Sequence, residues 1–168
     1  MAIVKHIKSR NANYSDALNY LIFQHDESTG KMILDEFNRP LRRDELYVDG
    51  LNCNPDTFDV ECYECNEHFK KNRSKSEIKS HHYIISYDPA DAIECDLTGE
   101  KAQALSLELA KKIFPGYQAL IVTHTDGHNG SGNIHTHIVI NSVRKEAVRR
   151  QSYMDKPHEE IAGYKHRS

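Results

Sequence analysis

The 168-residue chain carries 22 Lys and Arg against 25 Asp and Glu, a formal net charge of −3. That is enough chain for one domain with a sizeable core, and the balance excludes a strongly cationic binding protein. No apolar stretch approaches the ~20 residues of a membrane-spanning helix, the start Met-Ala-Ile-Val-Lys-His has no secretory-signal pattern, and four cysteines make no disulfide framework, so the expected compartment is the cytoplasm.

Residues 3–8 alternate apolar and basic side chains and predict an N-terminal strand. After a polar break, Ser15 can cap a helix in which Ala17, Leu18, Leu21 and Ile22 repeat at helical spacing to about Gln24, and Tyr20 lies on it. The pattern is weak over residues 25–54, which read as an excursion with a short strand at 32–34. Pro55 suits the first position of a helix reaching about Asn72, with Phe58, Cys62, Cys65 and Phe69 at helical intervals. Cys62, Cys65 and His68 imitate a zinc cluster, but with Cys53 as the one further candidate ligand they are read as buried thiols.

Residues 81–87 form a strand ended by Asp88-Pro89, and Thr98 caps an amphipathic helix through Ile113, with Ala102, Leu105, Leu109 and Ile113 expected inward. Phe114-Pro115-Gly116 stops that helix, and two apolar runs, 117–123 and 134–143, flank a Gly/Asn/Ser loop as a β-hairpin. Residues 144–168 read as a basic C-terminal extension containing Arg144, Lys145, Arg149, Arg150, Lys156, Lys165 and Arg167, with 159–164 looking helical. The element order is α+β: one central antiparallel-rich sheet, helices on one face and the active site on the other.

The hairpin carries the chemistry. Side chains alternate across a strand, so His135 and His137 share a face with Asn141 further along it. With the loop centred on Asn129 and Gly130, His124 falls opposite His135, and cross-strand partners point to the same side. Three imidazoles then converge on a rigid sheet as a metal site, with His128 in the loop the competitor for the third position. His82, Ile84 and Ser86 share one face of their strand and extend the site. A tris-imidazole centre leaves coordination positions open, for metal-bound hydroxide or for Lewis-acid work on a phosphoryl oxygen. The hairpin supplies no glutamate to act as a hydrolytic base, while the chain supplies nine tyrosines.

Together His124-x-Asp126, the loop and Ile134-His135-Thr136-His137-Ile138-Val139-Ile140-Asn141 resemble the third motif of relaxases of the mobilisation-nuclease (MobA/VirD type) family. These are HUH endonucleases, named for two histidines around a hydrophobic residue; Thr136 stands in the middle here. Asn52-Cys53-Asn54-Pro55, His81-His82-Tyr83-Ile84-Ile85-Ser86-Tyr87 and Ile113-Phe114-Pro115-Gly116-Tyr117-Gln118 also read like the family in the right order, so the likeness runs from Ile3 to Val143. It is nearest to relaxases carried by conjugative transposons of Gram-positive bacteria.

The resemblance implies an HUH relaxase-like fold and a bacterial cytoplasmic enzyme that nicks single-stranded origin-of-transfer DNA. It implies a nucleophilic tyrosine in the first helix, in the context Ala17-Leu18-Asn19-Tyr20-Leu21; Tyr20 is assigned, with Tyr14 the runner-up. It further implies metal ligands His124, His135 and His137, a supporting role for Asp126, DNA contacts from Ser86, Asn141, Arg149 and Arg150, and Mn²⁺ or Mg²⁺ as cofactor, with Zn²⁺ or Ni²⁺ able to occupy a preparation. The expected product is a 5′-phosphotyrosine, and the expected partners are an accessory DNA-binding protein and a secretion coupling protein. The loop 127–132 looks longer than in many relatives, which leaves His124 and His128 both open. Residues 1–168 are taken as a single nicking domain, the N-terminal part of a longer protein in the family's usual arrangement. Two alternatives remain, a cupin-like metalloenzyme and a non-catalytic single-stranded DNA-binding module.

Overall fold

The computed structural model describes residues 2–26, 28–44, 46–125, 133–150 and 158–166. Their elements are β1 (Ala2–Ser9), α1 (Tyr14–Ile22), β2 (Leu46–Leu51), a 3₁₀ turn (Pro55–Thr57), α2 (Phe58–His68), β3 (Ser80–Tyr87), α3 (Pro89–Glu94), α4 (Gly99–Ile113), β4 (Tyr117–His124) and β5 (His135–Arg144). The five strands form one sheet in the order β1-β3-β5-β4-β2, every neighbouring pair antiparallel. The α+β expectation therefore holds, with the hairpin strands β4 and β5 at the sheet's interior.

One part of that expectation is corrected: helices cover both faces. Leu120, Val122 and Val139 pack beneath Tyr14 and Leu21 of α1 and Phe58 and Cys62 of α2. The alternate residues Ala119, Ile121, Ile138 and Ile140 pack beneath Ala110 of α4 and Phe114. The physical reason is legible in β4, whose eight residues are all buried. A strand covered on both faces reads as a continuous apolar run rather than an alternation. The histidines share their face with α1 and α2, which cover one half of it. The other half, over β1 and β3, stays open: Ile3 is 70% exposed and Ser86 is exposed.

Smaller differences have equally local causes. Asn13, not Ser15, caps α1, its side chain accepting from the Ser15 amide. Helix α4 turns Ala102, Gln103, Ser106 and Ala110 to the sheet and leaves Leu105, Leu109 and Ile113 exposed. Small residues let the helix approach closely, and Gln103 Nε2 donates to Asp49 Oδ2 (2.8 Å) while its Oε1 accepts from Thr123 (2.7 Å). Strand β2 was hidden within the excursion because it is an edge strand containing Asp49 and Gly50. Gly50 is required there, since a Cβ would lie 2.3 Å from the Cys53 carbonyl. The excursion itself is real: bridges Phe23↔Arg42, His25↔Met32 and Leu34↔Pro40 make it a narrow antiparallel ribbon.

Residues 159–164 are turns, not a helix, and they close at Gly163 with φ +80°. The chain then returns alongside β5, where Arg144 N donates to Tyr164 O (2.8 Å) and His166 N to Ser142 O (2.7 Å). Part of the expected basic extension is thus packed structure, for Arg144 is buried with its guanidinium 4.7 Å above the Tyr117 ring.

Candidate metal centre

Strand register builds the centre. His124 pairs opposite His135 and Val122 opposite His137, as the alternation requires, so all three rings rise from one face. Their ring centroids form a near-equilateral triangle with sides of 5.1, 5.0 and 5.1 Å. Their potential ligand nitrogens all lie within 4.8 Å of one another. His124 and His137 are buried and His135 half-buried.

Each ring commits one nitrogen away from the centre. His124 Nε2 lies 2.7 Å from the Leu21 carbonyl, His135 Nδ1 lies 3.2 Å from the Asn133 carbonyl, and His137 Nδ1 lies 2.8 Å from His82 Nε2. A carbonyl only accepts, so His124 carries its proton on Nε2 and His135 on Nδ1. With both rings neutral the inward nitrogens are lone pairs, and His124 Nδ1 and His135 Nε2 stand 3.2 Å apart. Two lone pairs at that distance repel unless something positive, a proton or a cation, lies between them. Nitrogens bound at about 2.1 Å to one cation sit roughly 3–3.5 Å apart, so the spacing fits a shared metal ion.

The electrostatics favour the same form. Burial first, then the neighbouring His124, His82, His135 and Arg43, lowers the His137 pKa to about 2. Burial and the Lys5 charge lower His82 to about 4. Both rings are neutral at physiological pH, and neutral imidazole is the ligating form.

Tyr20 sits in the last turn of α1, 51% exposed, with its ring 5.7 Å from that of His25. The adjacent residue, Leu21, accepts from His124, and the Tyr20 carbonyl accepts from Arg43 Nη2 at 3.4 Å. The end of α1 is thereby tied to the triad through the Leu21 carbonyl and to Arg43 through the Tyr20 carbonyl, groups that a helix leaves without an internal partner. Tyr14 lies in the core at 5% exposure. Its hydroxyl is 2.8 Å from the Lys79 carbonyl and 3.0 Å from Asn141 Oδ1, accepts from Asn66 Nδ2 at 2.9 Å, and has its pKa raised by burial.

The remaining expected site residues divide. Ser86 is exposed and pairs opposite His135, beside the triad. Asn141, expected to contact DNA, is fully buried instead: Nδ2 donates to Gln118 Oε1 at 3.1 Å and Oδ1 faces the Tyr14 hydroxyl. Its place beyond His137 on the same face puts it under α1, so its polarity serves the core. Arg149 and Arg150 are exposed beyond the end of β5, and among the described residues no contact joins them to the triad. Asp126 and His128 lie outside the described residues. Sequence reasoning put His82 on the face that extends the site but gave neither its bond to His137 nor a place for Arg43 at the centre. His82 had a signal, its period-two relation to Ser86; Arg43, buried near His137, had none beyond its charge.

Comparison with known proteins follows the same lines. The family profile "Relaxase: MobA/VirD2-like, nuclease domain" matches residues 33–162. A Protein rlx of Staphylococcus aureus is 35% identical over 101 residues, covering 58% of this chain and 27% of that protein. A second Protein rlx from the same organism is 37% identical over 101 residues with the same coverage. The match thus spans about a quarter of the length of these curated relatives. A solved structure titled "Molecular Basis of Vancomycin Resistance Transfer in Staphylococcus aureus" aligns with TM-score 0.46 and 16% identity, covering 96% of this chain and 80% of that one. Among the described residues, no helix is long and apolar enough to cross a membrane.

Proposed function

This chain belongs to the MobA/VirD2-like relaxase nuclease family, and on that premise we propose that it nicks single-stranded origin-of-transfer DNA by tyrosine transesterification. The observation that carries the reading is the approach of His124 Nδ1 and His135 Nε2 to 3.2 Å, with His137 closing the triangle. A divalent cation, Mn²⁺ or Mg²⁺, would be held by His124 Nδ1, His135 Nε2 and His137 Nε2. When bound, it supplies positive charge to the non-bridging oxygens of the scissile phosphate.

The protein's own groups do the rest. The Tyr20 hydroxyl gives up its proton to solvent. Its oxygen attacks phosphorus in line; the Tyr20 O–P bond forms and the P–O3′ bond breaks. The products are a 5′-phosphotyrosine and a 3′-hydroxyl that takes up a proton. One phosphoester replaces another, so the reverse reaction rejoins the strand without a nucleotide cofactor. Supporting Tyr20 over Tyr14 are its exposure and its helix end tied to His124, whereas the Tyr14 hydroxyl is spent in the core. The open half of the histidine face, over β1 and β3, leaves room for a strand to run past Ser86, with Arg149, Arg150 and Arg42 following its phosphates. Asp126 supports a histidine or the tyrosine, the accessory DNA-binding and coupling proteins act around this domain, and the setting is the bacterial cytoplasm.

Denaturing electrophoresis tests the reading. Incubated with labelled single-stranded origin DNA and Mn²⁺, the chain is expected to give a covalent protein–DNA band that Tyr20→Phe abolishes and Tyr14→Phe retains. Nicking without an adduct would point to metal-hydroxide hydrolysis instead, and an adduct surviving in Tyr20→Phe would reassign the nucleophile.

A further inference from the structure

Of the three contacts that engage the outward nitrogens of the triad, two end on backbone carbonyls, Leu21 and Asn133, and one ends on a side chain, His82. The difference has chemical weight. A carbonyl cannot donate, so the protons of His124 and His135 are decided by the peptide chain. The His82–His137 contact is imidazole to imidazole at 2.8 Å, and either ring can carry the proton between them. If His82 donates, His137 Nδ1 is a lone pair and its Nε2 bears hydrogen, which cannot bind a cation. If His82 accepts, His137 is protonated at Nδ1 and its Nε2 lone pair faces the inward nitrogens of the other two rings.

We propose that His82 is a positioning residue that accepts from His137 Nδ1–H and thereby holds His137 in its metal-binding tautomer and ring orientation. The inference rests on the reading of the triad as a metal centre. His82 is built for the task. It is half-buried on β3, in register with Val139 of β5 on one side and Ile7 of β1 on the other, so pairing along both edges of the strand fixes its backbone. Its ring centroid is 5.0 Å from that of His137 with the planes tilted by 43°, an arrangement for an in-plane N–H···N bond rather than a stack. His137, like His124, is buried, so little water reaches a wrongly turned ring. Partners of this kind commonly govern metal affinity by about 10–100-fold.

The test is Mn²⁺ affinity, read from the signal of free Mn²⁺ by electron paramagnetic resonance, for the wild type, His82→Phe and His82→Glu. Phe keeps a ring of similar shape and cannot accept; Glu loses the ring and accepts strongly. His82→Phe should weaken Mn²⁺ binding by about 10–100-fold, while His82→Glu should bind at least as tightly as the wild type. Thermal melting is measured alongside, because a merely structural role would rank the two the other way, Phe above Glu. His82→Gln, whose amide oxygen can accept, covers the case in which Phe fails to fold and should fall between them. A His82→Phe affinity within about threefold of wild type, or above that of His82→Glu, overturns the assignment. A wild type whose Mn²⁺ binding is unchanged by His124→Ala removes the centre itself, and the role of His82 with it.

Discussion

Among the described residues two histidine clusters stand on opposite faces of the same sheet, and they are built to different ends. On one face His124, His135, His137 and His82 each turn a nitrogen toward a defined partner, and three rings converge on one point. On the other, His81 lies fully buried with Nδ1 2.9 Å from His6 Nε2 and its ring edge-on to His166 at 4.8 Å. His6 stacks on Tyr83 at 4.3 Å, and His166 meets Phe114 and Tyr117 edge-on. Among the described residues, the first cluster alone brings three metal-ligating atoms together. The second uses imidazole as an aromatic plate that locks the returning C-terminal segment to β3. Abundance of histidine is therefore no guide to a metal; the commitment of the second ring nitrogen is.

The contrast can be broken most severely at the triad. His124→Ala should lower Mn²⁺ affinity at least about 100-fold and abolish the covalent DNA adduct, whereas His81→Ala should leave Mn²⁺ affinity unchanged; calorimetric titration of both variants decides it. A loss of metal binding in His81→Ala would merge the two clusters into one system. Next in size is stability. His81→Ala empties a fully buried position and should cost roughly 1–3 kcal/mol in urea unfolding, while Tyr20→Phe, at an exposed position, should stay within about 0.5 kcal/mol as it loses the adduct.

Acid sharpens the comparison further. In the folded chain burial lowers His81 and His166 to about 4 each, against 6.5 when unfolded. The unfolded chain therefore binds more protons below pH 6.5, and stability, complete above that value, should fall as pH drops from about 6.5 toward 4. Urea midpoints of the metal-free protein at about pH 7.5, 6 and 5 should decline in that order, and less steeply in His81→Phe; equal midpoints would contradict it. The smallest effect is expected on α4: Leu105→Lys, on its outward face, should change stability by no more than about 0.5 kcal/mol.

How much of this was legible beforehand depends on how local the determinant is. The facing of His124 and His135 in the β4–β5 pairing follows from period-two alternation in two neighbouring apolar runs, so it could be read directly. The pairing of β3 with β5 brings together residues 55 apart, and no local pattern sets its register, so the His82–His137 bond was out of reach. The cover on both faces was encoded in the unbroken apolar run of β4, which an expectation of one-sided burial overlooked. Asn141 had the right periodicity for the site but lies beneath α1, whose position over the sheet is a tertiary fact. In α4 leucine spacing misled because Gln103 and small residues, rather than the largest apolar ones, make the contact.

The most direct measurement is electron spin echo modulation of the Mn²⁺-loaded chain, which detects nitrogen bound to the ion. Modulation from three imidazole nitrogens, lost in His124→Ala, is the expected result. Bound Mn²⁺ with no nitrogen in its coordination sphere would contradict a metal gripped by the β4–β5 hairpin.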